Sequence, residues 1–295
     1  MSGDRIVVVG DVINDIVVVP RGEIRPDTDT ASTIRPRPGG SAANTAVWLG
    51  ALGAPVDFVG AVGLEDLEDH EVVFERAGVT PHLQIAADLP TGTIVILVDG
   101  ERRTMLTERG ANSSLSSGSV TDELLSRAAV LHISGYSILD GFGTPGARDL
   151  IDRATAAGVP VSVTPGSSGY IADFGTGPFL EAIAGTTVLF PNLAEGALLS
   201  GQTEPERIGR ALRERFEVVV LTMGAEGLIV FEGRKSTTVP APRIQHIVDP
   251  TGAGDALAAG FLDRWRTTRD AVQSAEAGVL VAARAIMLMG GRPPI

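Results

Sequence analysis

The segment Asp249–Leu262, with the sequence DPTGAGDALAAGFL, combines the residues of an anion-binding helix start with a carboxylate. It opens with turn-forming Asp, Pro and Gly and continues with Ala, Leu and Phe at helical spacing, which predicts a helix from about Ala253. The backbone N–H groups of Gly252, Ala253 and Gly254 would then point out of the first turn, where the helix dipole favours negative charge. Asp255 would lie beside a bound anion. It could be a simple partner of the helix dipole, or it could accept a hydroxyl proton during phosphoryl transfer.

The composition limits how such a site could work. The chain has 295 residues, and 24 basic against 36 acidic side chains give a formal net charge of −12. An acidic chain lacks the basic face of non-specific nucleic-acid binders, so we expect no nucleic-acid partner. The absence of cysteine excludes disulfides, thiolate metal sites and a cysteine nucleophile. The only lysine, Lys235, follows no loop of the Walker type, which excludes a P-loop.

No apolar run approaches the roughly 18 residues that a membrane span needs, and no signal-peptide pattern opens the chain. We therefore expect a cytoplasmic protein without a membrane partner.

Short apolar strands alternate with amphipathic helices along most of the chain. The strand candidates are Ile6–Val9, Val56–Val59, Val130–Ile133, Pro160–Val163, Thr187–Phe190 and Val218–Leu221. The helix candidates are Ser41–Leu52, Leu67–Ala77, Thr121–Arg127, Pro145–Ala157 and Glu204–Phe216. Continuous apolar strands separated by helices are typical of a parallel sheet that is covered on both faces. The pattern predicts a doubly wound α/β fold, with a mostly parallel sheet sandwiched by helices.

Two segments interrupt this alternation, residues 16–38 and 92–109. The first contains a strand-like run and a proline-rich stretch, and the second has the pattern of a hairpin that turns at Gly100-Glu101. They predict a small antiparallel β lid, with two ordinary surface excursions as the alternative. If this lid covers the site, Arg109 is the best placed of its arginines to meet phosphate or substrate charge. A solvated basic face is the alternative for this residue.

Other residues have types suited to a ligand. Gly39 and Gly40 allow close approach of the backbone, and Asn44 offers a donor and acceptors to a sugar hydroxyl. A glycine turn with an Asn near a helix start is the alternative. Asn192 and Glu195 stand three residues apart after a strand, where they could face a ligand. The same spacing is that of a helix cap, which is the alternative.

Two signatures in this chain resemble those of the PfkB family of carbohydrate kinases, which have the ribokinase-like fold. The first is GGSAANTAVWLGALGAPVDFVGAVG, Gly39 to Gly63, and the second is DPTGAGDALAAGFL. Two weaker family marks lie between them, Asn192-Leu193-Ala194-Glu195 and Thr222-Met223-Gly224 with Gly227. The resemblance covers essentially the whole chain and implies one kinase domain over residues 1–295, with the lid inserted in it.

The resemblance also implies roles for individual residues. It assigns Asp15 to the substrate hydroxyls, with Asp11 either sharing that task or capping the strand end. It assigns Thr222, Gly224, Gly227 and Asn192 to ATP. It implies that Asn192 and Glu195 hold Mg²⁺ largely through water, and that Asp249 matches a position that holds a monovalent cation such as K⁺ in some relatives. A turn-forming Asp before proline is the alternative for Asp249.

The resulting hypothesis is a kinase that transfers phosphate from ATP to a hydroxymethyl group of a sugar, with Asp255 as the base. A nucleoside kinase on the same fold, a non-catalytic binding module and a nicotinamide-dependent oxidoreductase are the alternatives. The last lacks support because GDVIND, the first strand-to-helix turn, has no G-x-G-x-x-G pattern. Ser41-Ala42-Ala43 and Thr164 depart from the ribokinase pattern, so the sequence leaves the acceptor open. It also leaves open K⁺ activation and pairing of two lids in a homodimer.

Overall fold

The structure is a computed structural model that describes residues 3–99 and 102–294, in which strands and helices alternate. The strands are β1 (Arg5–Val9), β2 (Ile13–Pro20), β3 (Ser32–Gly39), β4 (Val56–Gly63), β5 (Val79–Ala86), β6 (Gly92–Asp99), β7 (Arg102–Glu108), β8 (Ala128–Ser134), β9 (Val161–Thr164), β10 (Val188–Leu189), β11 (Val218–Thr222), β12 (Leu228–Glu232) and β13 (Lys235–Val239). The α-helices are α1 (Ser41–Ala51), α2 (Leu67–Arg76), α3 (Asp122–Ser126), α4 (Gly135–Ser137), α5 (Gly143–Ala156), α6 (Ser168–Phe174), α7 (Thr176–Ala182), α8 (Leu193–Ser200), α9 (Pro205–Arg213), α10 (Ala253–Thr268) and α11 (Ala271–Ala285).

Nine strands form the main sheet, in the order β13-β12-β11-β10-β9-β8-β1-β4-β5. All neighbouring pairs from β11 to β5 run parallel, whereas β12 and β13 add an antiparallel edge. The predicted doubly wound, mostly parallel sheet is therefore confirmed. The carboxyl ends of its parallel strands meet along one edge, where open α/β sheets hold their ligands.

Both faces of the main sheet are covered, which explains why its strands have no polar alternation. Successive side chains of a strand point to opposite faces. In β1, Ile6 and Val8 pack in one apolar core, and Val7 and Val9 pack in the other. Helices α1, α10 and α11 pack in the first core, and α5, α7 and α9 pack in the second.

The second sheet has four strands in the order β3-β2-β6-β7 and corresponds to the predicted lid. Its outer pairs, β2–β3 and β6–β7, are antiparallel as predicted. The middle pair, β2–β6, runs parallel, because the two hairpins lie side by side in the same direction. The predicted turn Gly100-Glu101 lies outside the described residues. Strand β2 begins at Ile13 rather than at residue 16, so Asp15 belongs to the lid sheet.

The predicted elements of the main sheet match the structure within a few residues. The largest difference is at β4, which continues four residues beyond the predicted end at Val59, to Gly63. Of the predicted strand Thr187–Phe190, Val188–Leu189 pairs as β10. The described helices are all too short or too polar to serve as membrane spans.

Candidate active site

Helix α10 begins at Ala253, as the sequence predicts, and it follows a glycine, Gly252, in the left-handed conformation. Gly252 has a φ of 74°, and a Cβ added there would lie 2.6 Å from the Cα of Gly291. Glycine alone adopts this conformation at this approach without strain. The N–H of Ala253 makes only a 3.3 Å bond to the carbonyl of Pro250, and no acceptor among the described residues faces the N–H of Gly254. The first turn thus offers free donors to an anion.

Asp255 lies in this first turn and is held by two side chains of helix α1. Ser41 Oγ donates to Asp255 Oδ1 at 2.7 Å, and Asn44 Nδ2 donates to Asp255 Oδ2 at 2.9 Å. Burial raises the pKa of Asp255 to about 6, against the opposing effect of these two hydrogen bonds. A carboxylate with this pKa is mostly ionised at neutral pH and is a stronger base than an exposed aspartate.

Asn44 therefore has a different environment from the one the sequence suggested. Its side chain is buried, its Nδ2 faces Asp255, and its Oδ1 accepts from Arg292 Nε at 3.0 Å. The contacts observed for Asn44 are to protein groups, so direct binding of the acceptor substrate by this residue stays a prediction.

Asp11 caps the start of helix α1, next to the glycine pair Gly39-Gly40. Its carboxylate accepts from the N–H groups of Ser41 at 2.7 Å and Ala42 at 3.2 Å, and from Ser134 Oγ at 2.8 Å. This cap of a helix start differs from the strand-end cap that the sequence suggested for Asp11, and binding of substrate hydroxyls by Asp11 stays a prediction. Gly40, with a φ of 95°, lies so close that a Cβ would approach the Asp11 carbonyl oxygen to 2.4 Å.

Asp15 lies against the other glycine of this pair. A Cβ on Gly39 would come within 2.2 Å of Asp15 Oδ2, so glycine at this position leaves room for the carboxylate. Burial raises the pKa of Asp15 to about 7. The Arg292 charge opposes this, and Asp11 and Asp255 reinforce it. The structure thus places two acids, Asp15 and Asp255, in one electrostatic neighbourhood.

An apolar cavity of about 630 Å³ opens on the other side of the helix α10 start. Its walls include Thr222 at the end of β11, Gly224 and Gly227 after that strand, and also Pro250, Gly254, Leu257 and Ala282. This volume and mostly apolar lining fit an adenine ring held by backbone and aliphatic contacts. Gly227 also has a packing role, because a Cβ there would meet the Val239 carbonyl oxygen at 2.2 Å.

Asn192 and Glu195 form a complete capping box at the start of α8. Asn192 Oδ1 accepts from the Glu195 N–H at 2.9 Å, and Glu195 Oε2 accepts from the Asn192 N–H at 3.0 Å. Burial raises the pKa of Glu195, which these bonds to Asn192 partly offset. Within residues 3–99 and 102–294, no three acidic, His or Cys side chains gather as a metal cluster. The pair fits a Mg²⁺ ion that keeps most of its water.

Asp249 is surrounded by hydrogen-bond donors. Its Oδ1 accepts from the N–H and hydroxyl of Thr251 and from Arg103 Nη2 at 2.8 Å, and its Oδ2 accepts from the Gly290 N–H at 3.0 Å. Burial opposes ionisation of Asp249, but these bonds outweigh it and lower its pKa. The arginine already supplies positive charge at this carboxylate, so the residues present do not fit a monovalent cation there.

Arg109 packs against two tyrosine rings, one of which, that of Tyr136, lies in the electrostatic neighbourhood of Asp11 and Asp255. Its guanidinium carbon lies 4.6 Å from the ring centres of both Tyr136 and Tyr170, and its Nε lies 3.0 Å from Asp140 Oδ2. Burial raises the pKa of Asp140 to about 6, with Arg109 opposing. None of the side chains in the described ranges accepts a hydrogen bond from the two Nη groups of Arg109. An arginine held in this way can still bind an anion through its Nη groups.

Sequence reasoning missed Arg292, Tyr136 and Asp140 as neighbours of the site. Arg292 follows the last helix and belongs to no motif, so no local pattern marks it. Asp140 lies five residues beyond Gly135, in a segment whose helical turns carry no apolar periodicity. Only the packing of β8 beside β1 brings Tyr136 and Asp140 close to Asp11.

The family model for "pfkB family carbohydrate kinase" matches residues 4–295 of this chain. The chain belongs to the pfkB family. Among the relatives of this carbohydrate kinase is an uncharacterised sugar kinase of Archaeoglobus fulgidus, 28% identical over 83% of this chain and 96% of the relative. Another is an ATP-dependent ribose-1-phosphate kinase of Halopiger xanaduensis, 30% identical over 95% of this chain and 92% of the relative.

A solved structure with the same fold is a ribokinase of Arabidopsis thaliana in complex with ribose and ATP. It superposes on this pfkB kinase with a TM-score of 0.82, at 22% identity, over 98% of this chain and 94% of the ribokinase. The family and its named relatives identify the chain as a phosphotransferase of the carbohydrate kinase family.

Proposed function

We propose that this pfkB kinase transfers the terminal phosphoryl group of ATP to a hydroxymethyl group of a sugar. The observation that carries the proposal is the helix α10 start. There, free N–H groups of the first turn lie beside a carboxylate whose pKa is about 6. Phosphoryl transfer needs little beyond positioning, charge stabilisation and a base for the hydroxyl proton, and these residues provide the last two.

Each side of the helix start has its own task in this proposal. The apolar cavity beyond Thr222 and Gly224 holds the adenosine part of ATP, so that the phosphates extend toward Gly252–Gly254. Asp15 binds acceptor hydroxyls, and Asp255 takes the proton from the hydroxyl that attacks phosphorus. Mg²⁺, which Asn192 and Glu195 would hold through water, supplies positive charge to the phosphates when it is bound.

The lid carries part of the acceptor site, because Asp15 is a residue of strand β2. Movement of the lid sheet therefore changes the distance between Asp15 and Asp255. Closure would bring the acceptor to the base and exclude water, which would otherwise compete as the acceptor.

A second acceptor class, a sugar that already carries a phosphate, is favoured by Arg109. Its guanidinium is fixed by two rings and one carboxylate, and its Nη groups have no described partner. The 30% identical relative is named for ribose 1-phosphate, an acceptor of this class. A nucleoside remains the third class, since the sugar part of a nucleoside presents the same hydroxymethyl group.

A turnover panel tests the function. ADP release is measured with MgATP and ribose, ribose 1-phosphate, fructose, 2-keto-3-deoxygluconate, adenosine or pseudouridine, for the wild type and Asp255→Asn. We expect one acceptor class to stimulate turnover, and Asp255→Asn to lower kcat by about 10³-fold or more while MgATP still binds. Binding of ATP without turnover on any acceptor would instead identify a binding module. Near-wild-type turnover of Asp255→Asn would exclude this residue as the base.

Two further expectations can be tested with the same protein. Exchange of KCl for NaCl should leave kcat unchanged, because Arg103 already neutralises Asp249. A homodimer through the lid is tested by light scattering with Met105→Glu. Met105 lies 57% exposed on the edge strand β7, so a lid-mediated dimer would dissociate.

A further inference from the structure

Arg292 is a buried cation that contacts Asn44, one of the residues that hold the proposed base Asp255. Its residue exposure is 8%, although it lies beyond the last helix. Its Nε donates to Asn44 Oδ1 at 3.0 Å, and its Nη2 donates to the carbonyl oxygen of Gly39 at 2.6 Å. Nη1 is also buried, without a hydrogen-bond partner in the described part of the chain. A guanidinium is costly to bury, so its environment must offset the lost hydration.

The hydrogen bond from Arg292 fixes which way the Asn44 amide faces. An asparagine amide can turn over and exchange its oxygen with its NH₂ group, whereas a guanidinium has only donors. Arg292 therefore selects the orientation in which Oδ1 faces the guanidinium. In that orientation Nδ2 faces Asp255 and donates to its Oδ2 at 2.9 Å. The opposite orientation would place an amide oxygen against the carboxylate.

The charges around Arg292 favour a cation at this point of the fold. Three carboxylates influence it, those of Asp11 on the β1–β2 connection, Asp15 on β2 and Asp255 on α10. Another titratable neighbour is His70 on α2. Burial lowers the pKa of His70 to about 4, and the Arg292 charge adds to this, so the imidazole is neutral at pH 7. Burial also lowers the pKa of Arg292, to about 10, which leaves the guanidinium charged.

The backbone before Arg292 is anchored to both halves of the site. The N–H of Gly290 donates to Asp249 Oδ2 at 3.0 Å, and the carbonyl oxygen of Gly291 accepts from Trp48 Nε1 at 2.9 Å. Gly291 also packs against Gly252 at the start of α10. These contacts hold the chain in register, so that Arg292 enters the interior at a fixed point.

We propose that Arg292 is a positioning residue for phosphoryl transfer, which aims the Asp255 carboxylate by fixing the amide of Asn44. The proposal rests on the proposed function, since it concerns the base of that reaction. The same guanidinium holds the Gly39 carbonyl, so it also fixes the glycine against which Asp15 lies. Arg292 itself touches neither the phosphoryl group nor the acceptor hydroxyl.

Two substitutions separate the hydrogen bonds from the charge. Arg292→Met removes both, whereas Arg292→Lys keeps a charge that can reach only one of the two acceptors at a time. We expect kcat to fall by about 10²-fold in Arg292→Met, the typical cost of a misplaced reacting group, and by about 10-fold in Arg292→Lys. The KM for ATP should not change, because the adenine cavity lies on the other side of α10. Arg284→Met, at an exposed arginine of α11, is the matched control and should keep wild-type kcat.

A double substitution distinguishes positioning from general structural damage. The effect of Arg292 on the base passes through Asn44, whereas its bond to the Gly39 carbonyl concerns acceptor binding by Asp15. Arg292→Met combined with Asn44→Leu should therefore lose no more kcat, measured at saturating acceptor, than the worse single variant. Additive losses of kcat would overturn the proposal that Arg292 acts on Asp255 through Asn44. MgATP binding and thermal unfolding verify that each variant is folded. If Arg292→Met does not fold, Arg292→Lys and its combination with Asn44→Leu decide the question.

A measurement that needs no acceptor completes the test. In protein labelled with ¹³C at the aspartate carboxyl carbons, the signal missing from Asp255→Asn identifies Asp255, and its titration midpoint is followed by NMR. Loss of the cation and of the Asn44 hydrogen bond disfavours the ionised carboxylate, so the midpoint should rise in Arg292→Met. The rise should be smaller in Arg292→Lys. An unchanged midpoint in both variants would refute the proposal, whereas a wild type inactive on every acceptor would refute only the proposed function.

Discussion

Gly254→Ala should separate the stability of helix α10 from the chemistry at its start. Gly254 is the second residue of this helix, its φ is not left-handed, and no atom lies within 4 Å of the position that a Cβ would occupy. The new methyl group therefore meets no protein atom. Alanine is favoured over glycine in helices by roughly 0.5–1 kcal/mol. In a first turn we expect about 0.5 kcal/mol, which corresponds to an increase of about 1 °C in Tm for a chain of this size.

The same methyl group should impair phosphoryl transfer. It would fill the open space in front of the N–H groups of Gly252–Gly254, where the proposed function places the transferred phosphoryl group. Loss of one preorganised donor to a developing charge typically costs 10²–10³-fold in kcat. We expect a decrease of about 10²-fold, so the variant would be slightly more stable than the wild type and far less active.

The assay pairs thermal unfolding with ADP release in the presence of the best acceptor of the panel. Gly177→Ala is the matched control, because Gly177 is the second residue of α7, has no atom within 4 Å of its Cβ position and follows a left-handed glycine cap, Gly175. It should gain a similar Tm and keep wild-type kcat. Wild-type kcat in Gly254→Ala would show that no phosphoryl group approaches this helix start, and it would refute the reasoning.

Three further predictions follow from the geometry. Gly39→Ala should raise the acceptor KM by about 10-fold or more without changing the KM for ATP, since its Cβ would displace the Asp15 carboxylate; equal effects on both substrates would contradict this. The kcat should fall as the pH drops below about 6, because protonated Asp255 cannot accept a proton, and a flat profile down to pH 5 would argue against it as the base. Asp57→Asn should cost about 3 kcal/mol in the free energy of unfolding at pH 7, because the side chain is fully buried among two arginines and His82. Burial opposes ionisation of Asp57, but these partners outweigh it and lower its pKa from the ordinary 3.8. The difference from wild type should therefore shrink as the pH falls from about 3.8 through the lowered pKa of the folded state.

Much of the main sheet was predictable because its signal is local. A strand that is buried on both faces is mostly apolar, and β1, β4, β8 and β11 show this in the sequence itself, with Asp57 in β4 and His132 in β8 as buried polar exceptions. The lid was harder to delimit. Only three residues separate the end of β1 from the start of β2. The first residue of β2, Ile13, is as apolar as the main-sheet strands, so composition does not show where one sheet ends and the other begins.

The candidate site likewise contains residues that the sequence could predict and contacts that it could not. Gly252, Gly254 and Asp255 were predicted together because their chemistry depends on adjacent backbone groups of a single helix turn. The environment of Asn44 was not, because it depends on a partner 248 residues away. An asparagine has the same sequence signature whether its amide faces a sugar, a carboxylate or a guanidinium.

The sequence by itself determined the layered α/β fold, the start of α10 and the residue types at the anion site, since these follow from periodicity, turn chemistry and backbone geometry within short segments. Only the tertiary structure decided that Arg103 neutralises Asp249, that Arg109 packs against two tyrosine rings and that Arg292 donates to Asn44, the partner of Asp255. The physical reason is that arginine has a long side chain, and its charge finds its partner through the packing of distant elements. The fold, rather than the spacing of residues, therefore decides which of the chain's arginines belong to the site.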